Sequence, residues 1–178
     1  MYLQHTDPEV TVPQHISRIG VLTAHCFLAN SFVAYKYQFY DTTAMLIGLY
    51  TTSVLHWRKL KPRGLIRTLD IIMVLSTITK VALVDSKSFG SNRLVWFYSI
   101  SAGLISFIAN EKIFYKQVLE YSNKIIEYPK NTKHWLFSLC YTNPNTPERE
   151  LAYYRSVITH GFFQHILPNV AAIYALLT

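Results

Sequence analysis

Residues 156–178 read SVITHGFFQHILPNVAAIYALLT and hold no Asp, Glu, Lys or Arg. A helix crossing the roughly 30 Å hydrocarbon core of a bilayer needs about 20 mostly apolar residues, so this run is long enough to span one. Three further stretches carry no charge: Ile19–Tyr35, Thr42–Trp57 and Leu94–Asn110. A fourth, Leu65–Val84, is uncharged apart from Arg67, Asp70 and Lys80. The pattern predicts an all-α fold, a polytopic transmembrane helical bundle forming a single domain over 1–178. About five spans are expected, near 16–36, 39–57, 65–84, 94–110 and 153–177. A soluble bundle is the competing arrangement, but so many uncharged runs are hard to bury around one water-exposed core.

Composition points the same way. The chain has 178 residues, 51% hydrophobic and 15% charged, where soluble domains average about 25% charged. That apolar content excludes intrinsic disorder, and Cys26 and Cys140 are too few for a disulfide scaffold. Mean hydropathy is only +0.17, because polar connections and 13 Tyr lower it. Tyr35, Tyr37, Tyr40, Trp57, Trp96 and Trp135 fall at or near the ends of proposed spans, where amphipathic rings favour the water–lipid boundary. The N-terminus, MYLQHTDPEVTVPQH, lacks the basic start of a cleaved secretory signal.

Lys and Arg set the expected orientation. Arg58, Lys59, Lys61, Arg63 and Arg67 crowd one connection, which the positive-inside tendency places on the cytoplasmic or equivalent side. The N-terminus is then inside and the C-terminus outside. The net charge of +7 suits anionic lipid headgroups. No motif accompanies it that would indicate nucleic acid. The inner segment 111–146 reads as an interfacial amphipathic helix, since Phe114, Val118, Tyr121 and Ile125 recur at helical spacing. Residues 134–141, HWLFSLCY, are apolar but too short to span, and read as re-entrant or interfacial. Thr146, Pro147 and Glu148 supply the N-cap, first-turn proline and first-turn acid of the last helix.

Polar groups inside spans are costly, so they usually face the bundle and have a task. Here they are His25, Thr52, Ser53, His56, Asp70, Lys80, His160, Gln164 and His165. The topology brings His25, His56, Asp70 and His160 to similar depth on the inner side. Imidazoles with a carboxylate and hydroxyls suit a borderline metal such as Zn²⁺, which activates water for hydrolysis. Each residue also has a plainer use. His56 can anchor a helix end beside Trp57, and Asp70 can pair with Arg67 three residues earlier. His160 and His165 can bond neighbouring helices, and Lys80 can snorkel outward.

The patches TTSVLHW (Thr52, Ser53, His56), RTLDIIMVL (Asp70) and THGFFQHILPN (His160, His165) resemble the CREST superfamily of membrane hydrolases. That group includes the alkaline ceramidases and the progestin and adiponectin receptor family. The resemblance implies His56, His160 and His165 as zinc ligands, with Asp70 and Ser53 as catalytic, water-positioning groups. It also implies hydrolysis of a ceramide-like lipid amide in an endoplasmic reticulum or Golgi-type membrane. The family's final His pair sits one turn apart, whereas His160 and His165 are five positions apart. On a regular helix this turns the second about 140° from the first. A π-bulge near Gly161 repairs the angle; without one, Gln164 takes the ligand position. The family's Ser stands where this chain has Thr52, and its members carry more spans than are counted here.

The alternative is a non-catalytic accessory subunit of a large membrane complex, such as an organellar respiratory assembly in the mitochondrial inner membrane. Membrane-protein partners and lipids would then meet the intramembrane His and Asp groups. That alternative predicts no metal, with His56, Asp70 and His160 pointing in different directions. A channel or transporter lacks the expected internal repeat and paired broken helices.

Overall fold

The computed structural model describes residues 12–60, 64–121 and 147–178. The segment 134–141, Trp135, Cys140, Thr146 and the part of the inner segment beyond 121 lie outside the described residues. The fold is all-α, with no strand among the described residues. Helix α1 covers Gln14–Lys36, α2 Tyr40–Arg58, α3 Leu65–Leu83 and α4 Arg93–Tyr121. Two short 3₁₀ turns, Asp85–Ser88 and Gly90–Asn92, join α3 to α4. The last run is α5, Pro147–His160, a π-helical segment Gly161–Ile166, and α6, Leu167–Leu177.

Helices α1, α2 and α3 begin and end within two residues of the first three stretches expected to span; the last run starts six residues early, at the expected Pro147, and is broken by the π segment. The fourth runs on to Tyr121, so no break separates it from the start of the inner segment. Helical periodicity passes through residue 110 because neither Gly nor Pro occurs between Leu104 and Tyr128. By length and composition, α1 is a helix apolar enough to cross a membrane, and among the described residues it alone meets that measure. In α3 the charges Arg67, Asp70 and Lys80 lower the hydropathy. In the last run the π segment leaves α stretches of 14 and 11 residues.

The helices pack in a chain. Helix α2 lies along α1 and α3 along α2; on the other side of α1 lies the last run, which also carries α4. Helices α3 and α4 make no comparable backbone contact; they meet through side chains at one end, where Val81 and Trp96 share a cluster. Three apolar clusters hold the arrangement. Val12, Ile16, Trp57, Leu60, Tyr153 and Val157 join α1, α2 and α5 at one end. Val81, Phe89, Trp96, Ala171, Ala172 and Ala175 close the other end. Ala24, Phe27, Ala34, Leu46 and Leu49 seal α1 against α2. Trp57 and Trp96 are 2% and 3% exposed, so they are core residues and not the boundary anchors expected. Tyr35 and Tyr40 are exposed, as a boundary position requires.

Gly20 makes the first cluster possible. A Cβ there would stand 2.2 Å from Trp57 Cδ2, far inside van der Waals contact, so only glycine lets the indole lie against α1. The indole in turn packs edge-on against His160, with ring centroids 5.0 Å apart.

Candidate active site

A cavity of about 250 Å³ runs through the bundle. On α2 it follows Thr42, Leu46, Leu49, Ser53 and His56, a single face about 21 Å long at 1.5 Å per residue. Its walls are mostly apolar side chains from α2, α3, α4 and α6. His56, Ser53, Asp70, His160 and His165 all line it.

The π segment decides whether the two last-run histidines can act together. Its bonds close over five residues, as in Leu167 N–H to Phe162 O, so positions five apart return to one face. His160 and His165 accordingly stand side by side, ring centroids 5.0 Å apart and planes at 90°. Pro168 follows directly and removes an N–H that a regular helix would use. The carbonyls on this stretch find side-chain donors elsewhere. Asn169 Nδ2 donates to His165 O at 2.7 Å. Gln164 does not take the ligand position; its Nε2 donates to Gly103 O on α4 at 2.5 Å.

His56 comes to the same place from α2. Its ring is 5.8 Å from that of Trp57, and it interacts electrostatically with both His160 and His165. His56 and His165 are 7% and 3% exposed, and His160 is partly buried. Among the described residues neither ring nitrogen of His56 or His160 has a hydrogen-bond partner.

His165 is oriented from α1. Thr23 Oγ1 donates to Gly20 O at 3.2 Å and lies 2.8 Å from His165 Nδ1. Either group can supply the proton of the Thr23–His165 bond; with the imidazole donating from Nδ1, its Nε2 lone pair is left for a ligand role. Gly161 allows this approach, since a Cβ there would come within 2.9 Å of Thr23 Oγ1.

Asp70 is clamped at one oxygen. Ser53 Oγ donates to Oδ1 at 2.8 Å and Thr52 Oγ1 to the same atom at 3.0 Å. Both hydroxyls flanking the expected position thus serve, and Oδ2 is left for another donor. Asp70 does not spend itself on Arg67, whose guanidinium also lines this end of the cavity.

One expected member, His25, belongs elsewhere, and Lys80 has a different use from the one expected. His25 shares the depth of the cluster but not its direction. It is exposed, its Nδ1 bonding Val21 O at 3.0 Å and its Nε2 lying 3.4 Å from Tyr50 Oη. Lys80 does not snorkel outward as a free cation; partly exposed, its Nζ donates to Asp85 Oδ1 and Thr42 Oγ1, both at 2.8 Å. Sequence reasoning missed Thr23, Asn30 and Asn169. The available signal was a hydrogen-bonding side chain inside an otherwise apolar run.

The donor set fits zinc. Two imidazoles sharing a tetrahedral ion through Zn–N bonds of about 2.0–2.1 Å place their centroids about 5 Å apart. The His160–His165 spacing meets this, but so does any edge-to-face aromatic pair. The unbonded ring nitrogens of His56 and His160 therefore carry the fit more than the distance does. The cluster is not a finished cage, for among the described residues no three His, Cys, Asp or Glu groups stand in metal-ligand geometry. No known family, curated protein or solved structure matches the chain.

Proposed function

We propose that this protein is a membrane-embedded, metal-dependent hydrolase acting on a lipid amide of ceramide-like chemistry. The observation that carries the reading is the meeting of Asp70, fixed by Thr52 and Ser53, with three imidazoles at one end of a long apolar cavity. The accessory-subunit alternative expects those side chains to diverge, and their shared cavity supports catalysis instead.

The bilayer setting draws support from the surface. Large apolar residues face outward on every helix: Leu22 and Phe32 on α1, Ile72 and Leu75 on α3, Ile105 on α4 and Val170 on α6. Polar groups such as Ser31, Thr77 and Asn169 are buried. Exposed apolar surface on this scale marks contact with lipid or protein. The stretch of cavity wall where Leu75 on α3 and Leu104 on α4 are exposed would let a lipid enter sideways, its chain along the apolar wall and its amide at the imidazoles.

His56, His160 and His165 would hold the zinc, which when bound supplies Lewis-acid polarisation and a water that is acidic near neutral pH. Asp70 takes the proton of the attacking water through Oδ2, while Ser53 and Thr52 keep the carboxylate aimed. The water oxygen bonds to the acyl carbon, the C–N bond breaks, and the amine leaves with a proton. The products are a fatty acid and an amine. Metal analysis of purified full-length protein tests the reading. It should give about one zinc per chain, with release of fatty acid from an N-acylated sphingoid base. A folded, metal-free protein that releases no fatty acid when zinc is added would refute it.

A further inference from the structure

The cavity wall holds a polar pair away from the imidazoles. Asn30 on α1 and Asn169 on α6 are 6% and 4% exposed, and both line the cavity. Their orientations are fixed in sequence. The His165 carbonyl can only accept, so Asn169 turns its Nδ2 toward it, at 2.7 Å. Asn169 Oδ1 then faces Asn30, which must present its own Nδ2, at 2.8 Å. Asn30 Oδ1 is what remains. It is buried and has no partner among the described residues.

A buried acceptor without a donor is costly, and its neighbours offer none. Phe27 and Ala34 flank Asn30 on α1, and Leu46 and Leu49 face that helix from α2. Asn30 lines the cavity, so a donor placed there reaches Oδ1 after a small turn of the amide, which in the present arrangement is closed to water. Asn169 follows His165 by four residues, about 6 Å along the helix. A group meeting Asn30 is thus close to the imidazoles but is not the group held at them.

We propose that Asn30, oriented by Asn169, is a specificity subsite that accepts a hydrogen bond from a hydroxyl on the lipid, near its reactive amide. The assignment rests on the lipid-amide reading above and names the substrate feature it selects. A site built to bond a hydroxyl discriminates against the analogue without it, because the buried acceptor is then left unpaired.

The test compares N-hexadecanoylethanolamine with N-hexadecanoylethylamine, which share chain and amide and differ by one hydroxyl. Binding to the full chain in phosphatidylcholine nanodiscs is measured by competition with the radiolabelled hydroxyl lipid. The wild type should bind the hydroxylated lipid at least about tenfold more tightly. Asn30→Leu should bring the ratio near unity by weakening that lipid alone. Equal affinities in the wild type overturn the subsite and mean that water meets the acceptor. A preference that survives Asn30→Leu overturns it too. If Asn30→Leu does not fold, Asn169→Leu decides, since it frees the Asn30 amide to turn and should reduce the preference. Binding needs no turnover, so the two proposals separate. A hydroxyl preference in protein that holds no zinc and hydrolyses nothing keeps the subsite and removes the hydrolase. Zinc and hydrolysis without the preference do the reverse.

Discussion

The two ends of the cavity carry similar polar groups and use them differently. At the far end Lys80 donates to Asp85 and to Thr42, and Thr42 donates to the other oxygen of Asp85. The three side chains close a triangle in which each group answers another. At the imidazole end the network stops short. Asp70 has one oxygen tied and one spare, His165 is held from α1 by Thr23 and the Gly20 backbone, and His56 and His160 have no hydrogen-bond partner among the described residues. The spare valences at the imidazole end are the ones the proposed metal and water would use. A finished network signals structure. The lesson is that a buried charge in a helical bundle is informative through its leftover valence rather than its presence.

The contrast breaks most visibly at the histidines. His56→Ala or His160→Ala should abolish zinc binding, because a site of three protein ligands does not survive on two. Metal content after purification reads this directly, and retention of stoichiometric zinc by either variant would detach the imidazoles from a metal role. Asp70→Asn should act differently. It keeps the shape and the hydroxyl contacts but loses the base, so amide hydrolysis should fall by about 10²–10⁴-fold with zinc content unchanged. Loss of zinc in Asp70→Asn would make the carboxylate a ligand instead.

Much of this was legible in the chain, for a stated reason. Uncharged runs fix which residues are helical and how deep each lies, because rise per residue is constant. They do not fix azimuth. His25 lies at the right height, yet its face of α1 looks outward, toward Tyr50. His165 shows the converse. Its five-residue spacing from His160 is wrong for a regular helix, and the required π segment appears where Gly161 and Pro168 permit it. The extension of α4 past residue 110 was hidden because charge enters the sequence there while helical periodicity continues. Thr23 could not be assigned from sequence, since its role depends on which helix lies against Gly161.

Thr23 supplies the next sharpening. Thr23→Val keeps the size and removes the oxygen bonded to His165 Nδ1. The ring is then free to present either nitrogen. Loss of such an outer partner typically weakens metal affinity by about 10–100-fold. Competition with a zinc-chelating dye should report a drop of that order, and Thr23→Ser should restore most of it. An unchanged affinity in Thr23→Val would mean that the tautomer is set elsewhere.

The smallest effect on the site is expected from the far end, where the stability effect is nevertheless real. Lys80→Met removes the cation and leaves Asp85, 4% exposed, as an uncompensated charge. Breaking a fully buried pair costs about 3–5 kcal/mol. Lys80 retains 21% exposure, so water shares the load and about 1–3 kcal/mol is expected. Thermal unfolding in micelles should show that loss. The double change Lys80→Met with Asp85→Asn should recover a good part of it, since a charge pair replaced by neutral groups of similar volume is often neutral or better. Zinc content and lipid affinity should move by less than about twofold in either variant, because no charge-bearing group of the triangle touches the imidazoles. A Lys80→Met protein that folds but has lost its zinc would show that the two ends are one network, and that the closed triangle helps to position the open cluster.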